Sequence, residues 1–123
     1  MAGVLDNSHI DQEILVNSSG AAVDFSPDKY VTVAASTTQA CGTGAVADAL
    51  DGVLIIPGTT AAGIVQIKDG SNSAITIFAG GGTTALTTLI PFFVPLGVAS
   101  TNGGWSVITN ANVTAIAVGK FTA

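Results

Sequence analysis

Apolar and polar residues alternate in short runs from residue 29 onward, and turn-forming residues separate these runs. Residues 63–68 and 74–78 form the clearest pair of runs, because the polar turn 69–72 lies between them. Residues 105–109 and 113–118 form a second pair, which is separated by residues 110–112. The pattern predicts one β-hairpin for each pair.

Further short runs predict more strands. Residues 30–34 are rich in β-formers, and residues 52–57 form an apolar run that ends at Pro57. Residues 89–96 contain Pro91 and Pro95, which indicates an edge strand or two strands broken at the prolines. Only residues 45–50 of this region could form a helix. We therefore predict an all-β fold, an antiparallel β-sandwich or jelly roll of about seven or eight short strands.

The first 28 residues differ from the rest and are interpreted as an acidic N-terminal arm, with residues 29–123 as the β-sandwich body. Five of the eight acidic residues lie in the arm, which has no lysine. Residues 8–11 have the form of a capping box and favour a short helix, whereas residues 13–16 are equally consistent with a strand. The apolar residues that we predict as interface anchors of the arm are Val4, Leu5, Ile10, Ile14 and Leu15.

Charge is scarce, and this narrows the range of partners. Charged residues make up 9% of the chain, the net charge is −5, and arginine is absent. Binding of nucleic acid requires lysine and arginine to neutralise phosphates, and the chain has only three lysines, so we expect no nucleic-acid partner. The body has six charged side chains that sum to zero, and such a surface suits packing against other subunits. A monomer covered by hydroxyl and amide groups is the alternative, and we favour assembly.

Few side chains in the sequence could act in catalysis. We predict that the chain is not an enzyme and holds no cofactor. His9 is the only histidine, and it lies in the arm beside Ser8 and Asp11, away from any rigid scaffold that a catalytic triad requires. Cys41 is the only cysteine and has no basic neighbour in the sequence that would favour a thiolate. It also excludes an internal disulfide.

Two further motifs are interpreted as structural. Residues 42–47 match the dinucleotide pattern G-x-G-x-x-A, but no preceding strand or long following helix is predicted. Asp48 and Asp51 lie three residues apart, with no third acidic ligand nearby, so we expect a solvated turn and no metal site. We expect no signal peptide, because no basic segment precedes an apolar run in the first residues. We also expect no membrane span, because the apolar run 89–98 is short and contains prolines.

Four aromatic residues are predicted as core or interface anchors, because large aromatic side chains dominate the energetics of both. An alternative is that one of them stacks on a sugar ring, and Trp105, beside the polar loop 102–104, is then the candidate. The four residues are Tyr30, Phe92, Phe93 and Trp105.

The segments DGVLIIPGTTAAGIVQIKDGSNSAITIF, PFFVPLGVASTNGGWSV and NVTAIAVGKF, between residues 51 and 121, resemble small virion proteins of tailed bacteriophages. The resemblance lies in the general pattern of residue types and in the order of the hairpins, and it covers a little over half of the chain. It implies a β-sandwich or jelly-roll subunit that coats the capsid as a decoration (cement) protein, commonly as a homotrimer. No catalytic residues are carried over from that family.

The resemblance and the composition together predict a structural virion protein that stabilises the phage head. Its expected partners are copies of itself and the major capsid protein, with no nucleic acid and no membrane. Its expected location is the capsid surface, after synthesis in the cytoplasm of a bacterial host. The alternative function is a tail or fibre module that binds a host glycan.

Overall fold

A computed structural model describes residues 27–81 and 86–123, and in these ranges the chain forms eight β-strands and no helix. The predicted all-β fold is confirmed. The strands are β1 (Lys29–Val33), β2 (Thr38–Ala40), β3 (Ala49–Pro57), β4 (Val65–Asp69), β5 (Ile75–Phe78), β6 (Phe92–Ala99), β7 (Trp105–Thr109) and β8 (Val113–Lys120).

The strands form two antiparallel sheets of four strands each. The first sheet has the order β1-β8-β3-β6, and the second has the order β2-β7-β4-β5. Residues directly opposite each other on neighbouring strands share one face of a sheet. One such row in the first sheet is Val33–Ala115–Ile55–Phe92, and the first three of these residues are buried. The inward rows of the two sheets therefore face each other and form the core of a β-sandwich.

The inward row of the second sheet completes this core. Val107 of β7 lies opposite Ile67 of β4, and both side chains are buried. Val65 of β4 lies opposite Thr109, whose hydroxyl donates to the main-chain oxygens of Ala34 and Thr37. The one buried hydroxyl of this row is thus hydrogen-bonded, as burial of a polar group requires.

The first predicted hairpin is confirmed and the second is wrong. β4 and β5 pair antiparallel across the predicted turn. β7 and β8 do not pair, because β7 lies in the second sheet and β8 in the first. The connection at residues 110–112 crosses between the sheets, with Asn112 at a φ of 64°. Its carbonyl groups accept hydrogen bonds from Gly58 (2.8 Å) and Gly63 (2.8 Å), which belong to the β3–β4 connection.

Two other predictions concern the proline-containing run and the helix considered for residues 45–50. The proline-containing run is an edge strand, as predicted, since β6 lies at the end of the first sheet and pairs only with β3. The helix considered for residues 45–50 is absent. Residues 46–47 form a turn, in which Ala47 has a φ of 76°, and β3 begins at Ala49.

Candidate interaction surface

Apart from Lys120 at the end of β8, the paired outward positions of the first sheet are apolar, hydroxyl-bearing or glycine on all four strands. Tyr30 of β1 lies opposite Val118 of β8. Ile116 of β8 lies opposite Leu54 of β3, and Phe93 of β6 lies on the other side of Leu54. We call this surface the apolar face. It comprises Tyr30, Thr32, Gly52, Leu54, Ile56, Phe93, Pro95, Thr114, Ile116 and Val118.

The outward positions of the second sheet are mainly polar. One row runs Thr38–Ile108–Gln66–Thr76 across β2, β7, β4 and β5. A second row contains Ala40, Ser106 and Lys68. Solvent-facing positions of a sandwich are normally polar, and this sheet follows that rule. The contrast identifies the apolar face of the first sheet as a candidate contact surface.

A second apolar surface lies where the edge strands β5 and β6 come together. The rings of Phe78 on β5 and Phe92 on β6 meet edge to face, with their centroids 5.4 Å apart. Of the eight large apolar side chains that are exposed among the described residues, six lie on β5, on β6 or just before β6. We call this surface the open side, and its six residues are Ile75, Leu89, Ile90, Phe92, Phe93 and Val98.

Charge is absent from much of the chain that forms these surfaces. Residues 70–119 contain no Asp, Glu, Lys, Arg or His. At one end of the apolar face, however, Lys120 Nζ lies 2.6 Å from Asp28 Oδ1. The interaction between the Asp51 and Asp28 carboxyl groups lowers the pKa of Asp28 and raises that of Asp51, so that a proton is held by Asp51 before Asp28. This small mixed cluster borders a surface that is otherwise uncharged.

The four predicted aromatic anchors occupy different environments. Tyr30 is 72% exposed on the apolar face, and Phe92 and Phe93 are exposed on β6. Trp105 is 5% exposed and belongs to the core. Its indole Nε1 donates a hydrogen bond of 2.9 Å to the main-chain oxygen of Asp48. Trp105 is therefore not available to stack on a sugar ring.

Asp48 and Asp69 are buried structural carboxylates, which differs from the solvated turn that we expected for Asp48. Asp48 accepts hydrogen bonds from the Thr122 main chain (3.1 Å), the Thr122 hydroxyl (2.6 Å) and the Ala45 main chain (3.3 Å). Burial alone would raise its pKa, but these bonds and the charge of Lys29 outweigh burial and lower it. Asp48 thereby holds the end of the chain against the turn before β3.

Asp69 performs a similar role for the β6–β7 loop. Its carboxylate accepts hydrogen bonds from the main-chain nitrogen (2.9 Å) and hydroxyl (2.9 Å) of Thr101 and from the main-chain nitrogen of Asn102 (3.0 Å). These bonds, first of all the one from the Thr101 main chain, lower the pKa of Asp69, although burial opposes them. The carboxylates of Asp48 and Asp69 thus both accept hydrogen bonds from residues outside the strands.

The other residues considered for catalysis or ligand binding lie where they contribute to packing and loop structure. The Cys41 side chain is buried, and burial together with the nearby Asp48 charge raises the pKa of its thiol to about 11. The glycines of the dinucleotide-like motif lie in a loop, where a Cβ on Gly42 would collide with Thr122 and Gly44 lies against Gly104. Among the described residues, no three His, Cys, Asp or Glu side chains are close enough to hold a metal ion.

Some predictions lie outside the described residues. The arm anchors Val4, Leu5, Ile10, Ile14 and Leu15, and His9, belong to residues 1–26, so the contacts of the arm stay a prediction. In the ranges that the structure covers, no helix is long and apolar enough to cross a membrane.

Several surface residues were not identified from the sequence, among them Leu54, Ile116, Ile90 and Val98. Two signals in the sequence were available. Residues 53–56 are apolar at every position, which is typical of a strand that contacts apolar groups on both faces. The charge-free run from residue 70 to residue 119 is the second signal.

The chain matches no protein-family model, no curated protein and no solved structure. The likeness to phage virion proteins therefore rests on the quoted segments alone and stays a prediction.

Proposed function

We propose that this chain is a non-enzymatic structural subunit of a virion, of the capsid decoration type, whose body docks on the shell through its apolar face. The observation that carries the proposal is the contrast between the two outer faces of the sandwich. The first sheet presents uncharged rows with Tyr30, Leu54, Ile116 and Phe93, while the second presents hydroxyl, amide and lysine groups.

This contrast fits a protein that is bound on one side and solvated on the other. Burial of apolar area contributes roughly 25 cal/mol per Å², so a broad flat face supplies binding energy without a deep pocket. The described interior also fits a structural role, since the buried carboxylates Asp48 and Asp69 and the Cys41 thiol serve packing and loop contacts.

The proposed partners are the major capsid protein and copies of the chain itself, three to an assembly as the resemblance implies. The proposed location is the capsid surface, after synthesis in the host cytoplasm. The arm, with its apolar residues and four acids among residues 1–26, is proposed as a second contact with the shell. An extended arm gains affinity when it adds a strand to an exposed sheet edge.

Binding to shells assembled from the major capsid protein of the same virus tests the proposal. The variant Ile116→Lys places a charge on the apolar face, and Ile108→Lys is its matched control on the second sheet. Both isoleucines are half-buried, outward-facing and on a central strand of their sheet. We expect Ile116→Lys to lower the amount of protein that sediments with shells at least tenfold, with Ile108→Lys close to the wild type. Absence of wild-type binding would refute the proposal.

The alternative function, a tail or fibre module that binds a host glycan, draws no support from the aromatic residue that suggested it. The Trp105 ring is buried and its only polar group is hydrogen-bonded to Asp48. Specific retention of the protein on a glycan array, without binding to shells, would nevertheless favour that function.

A further inference from the structure

We propose that the open side is the surface through which copies of this chain pack against one another, open side to open side. This inference rests on the self-association in the proposed function, and it assigns that contact to a different surface from the shell contact. The open side and the apolar face meet at β6, where Phe93 belongs to both.

The hydrophobic core reaches solvent on the open side. Ile75 lies opposite the buried Ile67, and Phe92 lies opposite the buried Ile55, so both side chains occupy inward rows. Both are nevertheless exposed, because β5 and β6 are the last strands of their sheets. A second copy placed here would complete the core, and interfaces of obligate homo-oligomers resemble a domain core cut in half.

The outer edges of β5 and β6 have no pairing partner among the described residues. The backbone of β6 pairs with β3 and that of β5 pairs with β4, and no other main-chain hydrogen bond in the described ranges involves either strand. Long apolar edge strands that stay exposed promote association. β6 has eight residues, none of them charged, and is the longest of the four edge strands.

The distribution of charge indicates that the occupant of the open side is a second copy. Each chain carries a net charge of −5, so copies repel wherever their acidic groups approach each other. The six residues of the open side all lie inside the uncharged run 70–119. Two copies can therefore meet there without bringing like charges together. An apolar surface is also chemically compatible with copies of itself, whether two copies meet across a two-fold axis or three meet around a three-fold axis.

The test measures the mass of the full-length protein by light scattering over a range of concentrations. The variants Ile90→Lys and Val98→Lys place a charge on the open side. Ile90 is 73% exposed and precedes β6, so a lysine there leaves the core intact. Val98 is 39% exposed and lies opposite the buried Leu50, so the fold of that variant is checked separately. Val46→Lys is the matched control, since Val46 is 62% exposed and lies outside the open side.

We expect the wild type and Val46→Lys to have a mass that is a multiple of 12.1 kDa, three times that value if the resemblance holds. We expect Ile90→Lys and Val98→Lys to be monomers, with self-association weakened at least tenfold. Circular dichroism spectra like that of the wild type would show that the variants are folded. Open-side variants that keep the wild-type mass would overturn the inference.

A cysteine cross-link gives an independent readout of the same contact. Val98→Cys introduces a thiol on the open side, while the native Cys41 thiol is buried and has a pKa of about 11. We expect mild oxidation to yield a covalent dimer of Val98→Cys or Ile90→Cys and none of Val46→Cys. Failure of both open-side cysteines to cross-link, in a protein that is oligomeric, would also overturn the inference.

Shell binding separates this inference from the proposed function. If the wild type is a monomer at all concentrations but binds shells, the inference fails and the proposed function stands. If Ile116→Lys dissociates the oligomer and the open-side variants do not, the self-contact lies on the apolar face and the inference fails. If the open-side variants become monomers and the wild type does not bind shells, the inference stands and the capsid role fails.

Discussion

The indole nitrogen of Trp105 donates a hydrogen bond of 2.9 Å to the main-chain oxygen of Asp48. Trp105 begins β7 in the second sheet, and Asp48 immediately precedes β3 in the first. The same Asp48 oxygen accepts from Ser100, and the Asp48 carboxylate accepts from Thr122. One residue thus connects both sheets, the β6–β7 loop and the end of the chain.

Replacement of Trp105 by phenylalanine tests this connection. The variant keeps an apolar ring but loses the N–H donor and part of the side-chain volume. We expect the free energy of unfolding to fall by about 1–3 kcal/mol, from one lost hydrogen bond and a small cavity. Urea unfolding followed by circular dichroism measures the change. An unchanged unfolding midpoint would show that the hydrogen bond and the indole ring contribute little.

Asp69 makes stability depend on pH in a defined direction. Its loop hydrogen bonds hold the folded-state pKa below the ordinary value of 3.8, so the folded protein binds fewer protons than the unfolded chain. The stabilisation is therefore present above pH 3.8 and is lost as pH falls through the folded pKa. We expect Asp69→Asn to lower the urea midpoint at pH 6, and expect the difference between wild type and variant to shrink progressively as pH falls below 3.8. A difference of constant size across this pH range would contradict this assignment.

The Cys41 thiol is expected to be unreactive in the folded protein. Its side chain is fully buried, and burial raises the pKa to about 11, so the thiolate is scarce and inaccessible at pH 8. We expect no reaction with a thiol reagent over an hour at pH 8, and one thiol per chain after unfolding in guanidinium chloride. Rapid reaction of the folded protein would place Cys41 in a more open environment.

Gly52 provides the space for the Phe93 ring on the apolar face. A Cβ at position 52 would lie 2.1 Å from the Phe93 ring and 2.6 Å from the Val94 carbonyl oxygen. We expect Gly52→Ala to destabilise the fold by about 1–3 kcal/mol and to displace Phe93. Gly97→Ala, where a Cβ meets nothing within 4 Å but φ is +66°, is the comparison and isolates backbone strain of about 1–2 kcal/mol. Urea unfolding measures the loss of stability in both variants.

The predictable part of this fold is the part that alternation and turn chemistry determine locally. Residues 63–78 contain two alternating runs and a tight turn, and β4 and β5 pair as predicted. β7 and β8 show the same pattern but lie in different sheets. Alternation defines which residues share a face and not which strand lies beside them. The crossing follows from the pairing of β7 and β8 in different sheets and from the contacts of Ala111 and Asn112 with the β3–β4 connection, none of which is local in the sequence.

The candidate surfaces were less predictable for a related reason. Phe92 and Phe93 were identified as aromatic anchors from their size, but the exposure of Ile75 and Phe92 depends on β5 and β6 being the edges of their sheets. Sheet order is a long-range property that a short sequence window does not contain. The burial of Trp105 likewise depends on its partner Asp48, which lies 57 residues away in the chain.

The arm prediction can be tested in the full-length chain without truncation. Ile14→Lys and Leu15→Lys place charges at two predicted anchors, and Ser18→Lys is a control in the polar segment 17–20. If the open side holds the copies together and the arm contacts the shell, the anchor variants keep the wild-type mass and bind shells at least tenfold more weakly. The reason is that an arm ordered on binding must offset its lost entropy by burying apolar side chains. Anchor variants that lower the mass instead would assign the arm to the contact between copies, because only that contact determines the mass in the absence of shells.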